Sequence, residues 1–489
     1  MIVRRICLFA EVVWIVLVSL VPPLLFFMIN CMRPRNWSDW RAEATRSTYK
    51  WIVSSSILVK KIAQAASNEV WLPAWMRQAC RRMNDHNSNE NTNTDDTRAR
   101  VCEAFGTEEH VARHFATIDY ENDIGGGCIA SVHRATLLAD VVDGRSTPVC
   151  VKIFRQGVRQ STLASIARTQ PLVQRVCASF PATEERLLLR ARWDHLSGGM
   201  VQQVDSAREL RNHQEMREQL AASSLCDLIY VPRIYESHCA PGVLAIEWMG
   251  GIDGAVPLDQ LTSLAHRREA ARIVRLFCTY SLFHARTHHG DPHSGNFLAR
   301  ILDGGERIQL VLLDFGVVHT KSDAQIEALQ QLCAGMVRND LVHCTVHLYR
   351  LLVDDVKTRS HLCIGGGGGD AREQRLHLWA AIYLLLLEVI TMFESVTIDN
   401  KQTRLAGIAA DFHRSHTLVL NHNFVDLDWT VVALNNTIRE LDPESNVLAE
   451  LWGGVRDIHR ELNVQSMPEA IDWETLQIRL SIQHDRLYV

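Results

Sequence analysis

The sequence has no C-x-x-C pair. Its thirteen cysteines are scattered without regular spacing, which argues against a disulfide framework or a zinc site and for reduced thiols. It has no basic excess either. A formal charge of −5 and a pI near 6.5 give no electrostatic case for a nucleic-acid partner. No G-x-x-x-x-G-K-[ST] stretch is present, which excludes a P-loop. No small-x-small site follows the N-terminal apolar run, which disfavours a cleaved signal peptide. No Arg- and Ser-rich, acid-poor presequence precedes that run, so any mitochondrial address is expected to be of another kind than the usual transit peptide.

What is present is a globular chain of 489 residues, 47% hydrophobic and 22% charged, long enough for two or three domain-sized units. Residues 6–29, "ICLFAEVVWIVLVSLVPPLLFFMI", carry Glu11 as their one charge and are long enough to cross a hydrocarbon layer of about 30 Å. Arg4 and Arg5 precede this run, Arg33 and Arg35 follow it, and Pro22-Pro23 would kink or split a helix. A membrane-spanning or membrane-dipping segment is the first reading, and a buried hydrophobic helix the second. Residues 36–83 read as helical, and 84–98, "NDHNSNENTNTDDTR", as a polar linker. Beyond 111 come a glycine cluster, alternating β-formers and the turn "DGRSTP", which read as strands. Residues 158–222 read as helix interrupted at "SGG", 197–199. "LIYVPRIYES" and "GVLAIEWMGG" read as a second strand pair. After Gly254 the pattern is mostly helical, with a five-glycine linker at 365–369 and a buried helix at 376–393.

Several residues carry chemistry. Gly125, Gly126 and Gly127 sit in a turn where bare backbone N–H groups can approach phosphate. Alone, they could equally form an ordinary hairpin turn. Lys152, in "VCVKIF", is costly in an apolar strand unless paired. Asp205 and Glu209 lie on one helical face as its candidate partners, with Glu209 preferred. In "HHGDPHSGN", Asp291 suits the orienting or deprotonation of an attacking hydroxyl. Asn296 and Asp314 (the latter in "VLLDFGVV") offer the oxygen ligands that Mg²⁺ prefers. Each signal is weak alone. Their order along the chain is specific.

That order resembles a protein-kinase-like phosphotransferase. The loop at His289, Asp291, Pro292, His293, Gly295 and Asn296 is similar to the "H-x-D-P-H-P-G-N" signature of the UbiB/ADCK, or aarF-domain, atypical kinases, with Ser294 in place of the second proline. "GGGCIASVHRATL" resembles the family's alanine-rich nucleotide loop, with Cys128 inside it and Ser131 where the family has Gln. "VDSARELRN" supports Glu209, and "LAIEWMGG" resembles the hinge, which implies that backbone groups of Glu247 and Met249 meet adenine. "VKKIAQAAS" resembles the family's K-x-G-Q extension motif at Lys61 and Gln64, with Ala63 replacing the glycine. "NNTIRELDPESNVL" resembles the family's C-terminal "L-D-P" stretch.

The resemblance implies an α+β, bilobal protein-kinase-like fold with a mainly β N-lobe, a helical C-lobe and a helical N-terminal extension. The expected boundaries are 1–30 hydrophobic segment, 31–83 extension, 84–100 linker, 101–250 N-lobe and 251–489 C-lobe. It implies ATP and Mg²⁺ as cofactors, an atypical kinase or ATPase activity, and support of ubiquinone biosynthesis or lipid homeostasis. A membrane or lipid, and ubiquinone-biosynthesis proteins, are the implied partners. A mitochondrial location at the inner membrane is the implied setting. A small-molecule kinase of the aminoglycoside or choline type, a conventional protein kinase (disfavoured because no A-P-E-like segment follows Asp314) and a non-catalytic nucleotide-gated scaffold remain as alternatives.

Overall fold

The computed structural model describes residues 94–138, 146–179, 183–250, 254–338 and 340–352. It also describes helices at 57–66 and 74–81 and residues within 45–52, 372–386, 430–443 and 476–483. The hydrophobic run 6–29, the glycine run 365–369 and the first half of the "DGRSTP" turn, 143–145, lie outside the described residues. Among the described residues no helix is long and apolar enough to cross a membrane.

The chain begins with α1 (Ile57–Ala66) and α2 (Ala74–Arg81). The next helix, α3 (Thr94–Phe105), starts inside the stretch read as linker. Asp95 and Asp96 in its first turn complement the positive end of the helix dipole. Val101 is fully buried with Phe115, Val149, Val151 and Val243, so packing outweighs the polar composition. A short α4 (Glu108–His114) follows, capped by the Thr107 side chain accepting from the His110 N–H at 3.2 Å.

Then come β1 (Phe115–Gly126), β2 (Ala130–Leu137) and β3 (Pro148–Phe154). Three helices follow: α5 (Val158–Ser179), α6 (Thr183–Gln203) and α7 (Ser206–Ala221). The glycines of "SGG" do not interrupt α6, contrary to the sequence reading. Each glycine costs a helix roughly 1 kcal/mol relative to alanine. Here the loss is offset by packing: Trp193 and Met200 of α6 bury against Leu58 of α1. That contact also seats the N-terminal extension on the α5–α6 pair.

After α7 run β4 (Ile229–Tyr230) and β5 (Val243–Glu247). The expected second strand pair forms differently. β5 joins the first sheet, whose antiparallel order is β1-β2-β3-β5, and meets the "RIY" stretch through a single bridge, Ile234 to Ile246. β4 instead pairs in parallel with a later strand.

The second lobe holds β6 (Val256–Pro257), α8 (Leu264–Phe283), β7 (Thr287–His289), β8 (Phe297–Leu302), β9 (Arg307–Leu312), β10 (Val318–Thr320), α9 (Asp323–Val337) and α10 (Leu341–Leu352). It is less helical than the sequence pattern implied. β4-β9-β8-β6 form a four-stranded sheet, and β10 pairs with β7. The hairpin between β8 and β9 needs left-handed backbone at Asp303, Gly304 and Gly305 (φ 53°, 68° and 109°), which glycine supplies at little cost. The main core joins α7, α8, β8 and β9 with Leu434, Ile438 and Leu441 of a C-terminal helix. In the stretch read as a buried helix, Trp379, Ile382 and Tyr383 are buried against Val346, Tyr349, Leu476 and Leu480. Residues 387–393 lie outside the described residues.

Candidate nucleotide site

Lys152 lies on β3, between β2 and β5, so it is not on an edge strand. Its Nζ is 2.6 Å from Glu209 Oε1 on α7 and 3.2 Å from Asp314 Oδ1. Asp205, the other candidate, is spent as the α7 N-cap: its carboxylate accepts from the Arg208 N–H at 3.0 Å. Burial disfavours the Lys152 ammonium, but the carboxylates of Asp314 and Glu209 outweigh it and raise its pKa. Burial pushes Glu209 up to about 7, against the pull of Lys152. Burial also opposes the charged form of Asp314, yet Lys152 and the Gly316 N–H hold its pKa well below the usual carboxylate range.

Asp314 follows β9 with a φ of 55°, a left-handed conformation rare outside glycine. Its Oδ1 accepts from the Gly316 N–H at 3.0 Å. Phe315 is fully buried, and its carbonyl accepts from Asn212 Nδ2 at 2.9 Å.

The Asp291 loop runs from the end of β7 to the start of β8. His289 Nδ1 accepts from the Asp291 N–H at 3.1 Å, and its Nε2 is 3.1 Å from the Leu313 carbonyl. This fixes a neutral tautomer with the proton on Nε2, and burial lowers the pKa accordingly. Asn296 Nδ2 donates to the Asp291 carbonyl at 2.8 Å. Burial opposes the Asp291 carboxylate, but His293 and Lys61 outweigh it and lower its pKa. Lys61 of α1 is therefore close enough to act on Asp291. The side chain of Gln64 lies outside the described residues.

The glycine stretch is a hairpin end. Gly125 and Gly126 pair with Val132 and Ser131, and the Gly127 N–H donates to the Ala130 carbonyl at 2.8 Å, closing a turn through Cys128. A Cβ on Gly126 would lie 3.0 Å from Ala130 O, Ser131 Cα and Asp123 Oδ2, whereas Gly125 and Gly127 face open space. Ser131 is buried and 2.9 Å from His133 Nε2.

At the hinge, the Glu247 carboxylate accepts from the Tyr230 hydroxyl at 2.6 Å and the Arg233 N–H at 2.8 Å. The Glu247 N–H donates to Arg233 O, and the Met249 carbonyl accepts from the Ala255 N–H. On the Lys152 side, the Glu247 carbonyl is 3.9 Å from the Cys150 thiol.

The structure thus gathers Lys152, Glu209, Asp314, Asn296 and Asp291 at one junction of the two sheets. Sequence reasoning missed Gln203, the last residue of α6, whose Nε2 is 3.4 Å from Asp291 Oδ2. Nothing local marks it, because the contact spans 88 residues. Cys150 stands two residues before Lys152 on the same strand face, a period-two signal that could have placed it in the site.

Residues 88–348, just over half of the chain, match the family model for the ABC1 atypical kinase-like domain. The chain belongs to this family. Among ABC1 relatives, a "Probable protein kinase UbiB" of Xanthomonas campestris pv. campestris is 30% identical over 222 residues, 45% of this chain and 38% of that protein. An "ABC1 family protein" of Schizosaccharomyces pombe is 31% identical over 135 residues, 27% of this chain and 24% of that one. "Protein ACTIVITY OF BC1 COMPLEX KINASE 8, chloroplastic" of Arabidopsis thaliana is 27% identical over 233 residues, 46% of this chain and 28% of that one. The matches span well under half the length of these relatives. The fold expectation holds: the chain is α+β, with a β-rich first lobe and a second lobe built on helices, and it is kinase-like.

Proposed function

We propose that the protein binds MgATP between its lobes and transfers or hydrolyses the γ-phosphoryl group. The observation that carries this is the Lys152 ammonium held at 2.6 Å from Glu209 and 3.2 Å from Asp314. A lysine fixed in this way retains its charge, as phosphate binding requires. Lys152 would engage phosphate, and Glu209 would hold Lys152. The Glu247 carbonyl and Met249 N–H would receive adenine, while the backbone at Gly125, Gly126, Gly127 and Cys128 would cover the phosphates.

The oxygens left over suit magnesium. Asn296 spends its amide N–H on the Asp291 carbonyl, which leaves its Oδ1 for a cation. Asp314 directs Oδ1 at Lys152 and Gly316, which leaves Oδ2. Two protein oxygens are typical where substrate phosphates and water complete the octahedron. When bound, the metal neutralises charge developing on the phosphates. Asp291 would position the acceptor hydroxyl or water.

The family resemblance and the hydrophobic run 6–29 support a reading of the wider setting, and the UbiB-named relatives support its quinone part. On this reading the protein is a membrane-associated mitochondrial family member. It supports ubiquinone biosynthesis or lipid homeostasis, acting beside lipid intermediates and ubiquinone-biosynthesis proteins. Lys61 and Gln64, in the stretch that resembles the family's extension motif, would help to cover the site, which the influence of Lys61 on Asp291 supports.

Thermal shift tests the core of this. MgATP should raise the melting temperature of the wild type, and Asp314→Asn should remove the magnesium-dependent part of the shift. No shift, or an identical shift in Asp314→Asn, rejects the assignment. Quinone and lipid profiling of a knockout, rescued by wild type but not by Asp291→Asn, tests the cellular role.

A further inference from the structure

The Asp291 loop is held from outside by a helix that lies far beyond the family match. Thr430 and Thr437 are each 1% exposed. Thr430 Oγ1 donates to the His289 carbonyl at 3.2 Å, and Thr437 Oγ1 is 3.1 Å from the Pro292 carbonyl. The two threonines are each helical and seven residues apart, the spacing that α-helical geometry places on one face. The carbonyls they reach flank Asp291. Thr437 Oγ1 is also 3.2 Å from Ala433 O within its own helix, the usual local partner of a helical threonine. Its single proton is therefore divided between that carbonyl and the loop.

Two other carbonyls of the loop are satisfied from within it. The Asp291 carbonyl receives Asn296 Nδ2 and the His293 N–H, and the His293 carbonyl receives the Asn296 N–H. The carbonyls of His289 and Pro292 are what the loop presents to the C-terminal helix. That helix is itself anchored. Arg267 of α8 donates to the Leu441 and Glu440 carbonyls at its end, and Leu434, Ile438 and Leu441 enter the core beside Phe297 and Phe315.

We infer that Thr430 and Thr437 are positioning residues for Asp291, and that the active site is incomplete without the C-terminal helical residues that carry them, although the family match ends at residue 348. A buried carbonyl that loses its donor pulls the loop toward another partner, and a small misplacement of a reacting group costs rate steeply. The inference rests on the reading of Asp291 as the group that positions the acceptor.

The full-length chain is compared with Thr430→Val, Thr437→Val and Thr437→Ser by two measurements. The first is MgATP turnover, where Thr437→Val should lower kcat on the order of tenfold with KM for ATP unchanged, and Thr437→Ser should restore it to within about twofold. The second is hydrogen–deuterium exchange of the 288–297 peptide, which should quicken in both valine variants while the 308–316 peptide keeps its rate. Unchanged exchange overturns the inference. So does faster exchange with unaltered turnover, because the hydroxyls would then serve stability alone. A wild type without turnover rejects the proposed activity, and exchange then decides whether the helix holds the loop.

Discussion

Asn212 donates its side-chain amide to the carbonyl of Phe315 at 2.9 Å. Glu209, one turn earlier on the same helix, meets Lys152 at 2.6 Å, and Lys152 in turn meets Asp314. One face of α7 therefore grips two consecutive residues of the "DFG" stretch, Phe315 directly and Asp314 through the lysine. The position of α7 and the geometry at Asp314 are coupled, and the predictions below probe that coupling and its surroundings.

Lys152 and Glu209 form a buried pair, so removing one partner leaves the other charge uncompensated. Lys152→Met alone should destabilise the fold by about 3 kcal/mol. The double variant with Glu209→Gln should recover much of that loss. Urea unfolding of the four proteins in a double-mutant cycle measures it. A double variant no better than the worse single one contradicts the pairing.

Gly126 and Gly127 should differ sharply despite being neighbours. Gly126→Ala places a Cβ 3.0 Å from two backbone atoms and one carboxylate oxygen, and should cost roughly 1–3 kcal/mol. Gly127→Ala meets nothing within 4 Å and should leave the melting temperature within a degree or two. Differential scanning calorimetry of both separates packing from backbone flexibility as the reason for glycine here.

His213 is 2% exposed, donates through Nε2 to the Pro232 carbonyl at 2.7 Å, and is lowered to about 4 by burial. The unfolded chain protonates this histidine near the ordinary value, so between that value and about 4 the unfolded state holds the extra proton. Its contribution to stability is present above that window and is lost as pH falls through it. Glu209, raised to about 7 by burial, acts in the other sense: its contribution declines as pH rises toward 7. The difference between wild type and His213→Gln isolates the histidine. Glutamine keeps a donor for Pro232 and does not titrate, so stability should fall less steeply from pH 6.5 to 5 in the variant. Parallel stability–pH profiles would refute the assignment.

Tyr230 holds the hinge through its 2.6 Å bond to Glu247. Tyr230→Phe removes that donor and leaves the Arg233 N–H in place. Stability should drop by about 1–2 kcal/mol, and ATP affinity should weaken more than in a control at Tyr235, whose ring belongs to the first-sheet core. Isothermal titration of both variants makes the comparison.

The sequence determined the parts whose chemistry is local. Lys152 announces itself because a lysine among β-formers needs a partner. Asp291, Asn296 and Asp314 announce themselves because their spacing follows the loop-strand-turn in which they sit. The strands β2 and β3 are legible because hydrophobic alternation has a period of two. Local composition misled where packing overrode it: Val101 draws α3 into the polar stretch, and Trp193 and Met200 carry α6 through two glycines.

The tertiary structure decided which of Asp205 and Glu209 meets Lys152, since both lie on one face and only the N-cap geometry separates them. It also decided that β4 leaves its neighbour in sequence for β9. Gln203, Thr430 and Thr437 reach the Asp291 loop across 88, 141 and 145 residues of chain. A single hydrogen bond at that separation leaves no periodicity or spacing in the sequence. It exists because the core fixes where the ends of helices fall, and that placement is a property of the whole fold.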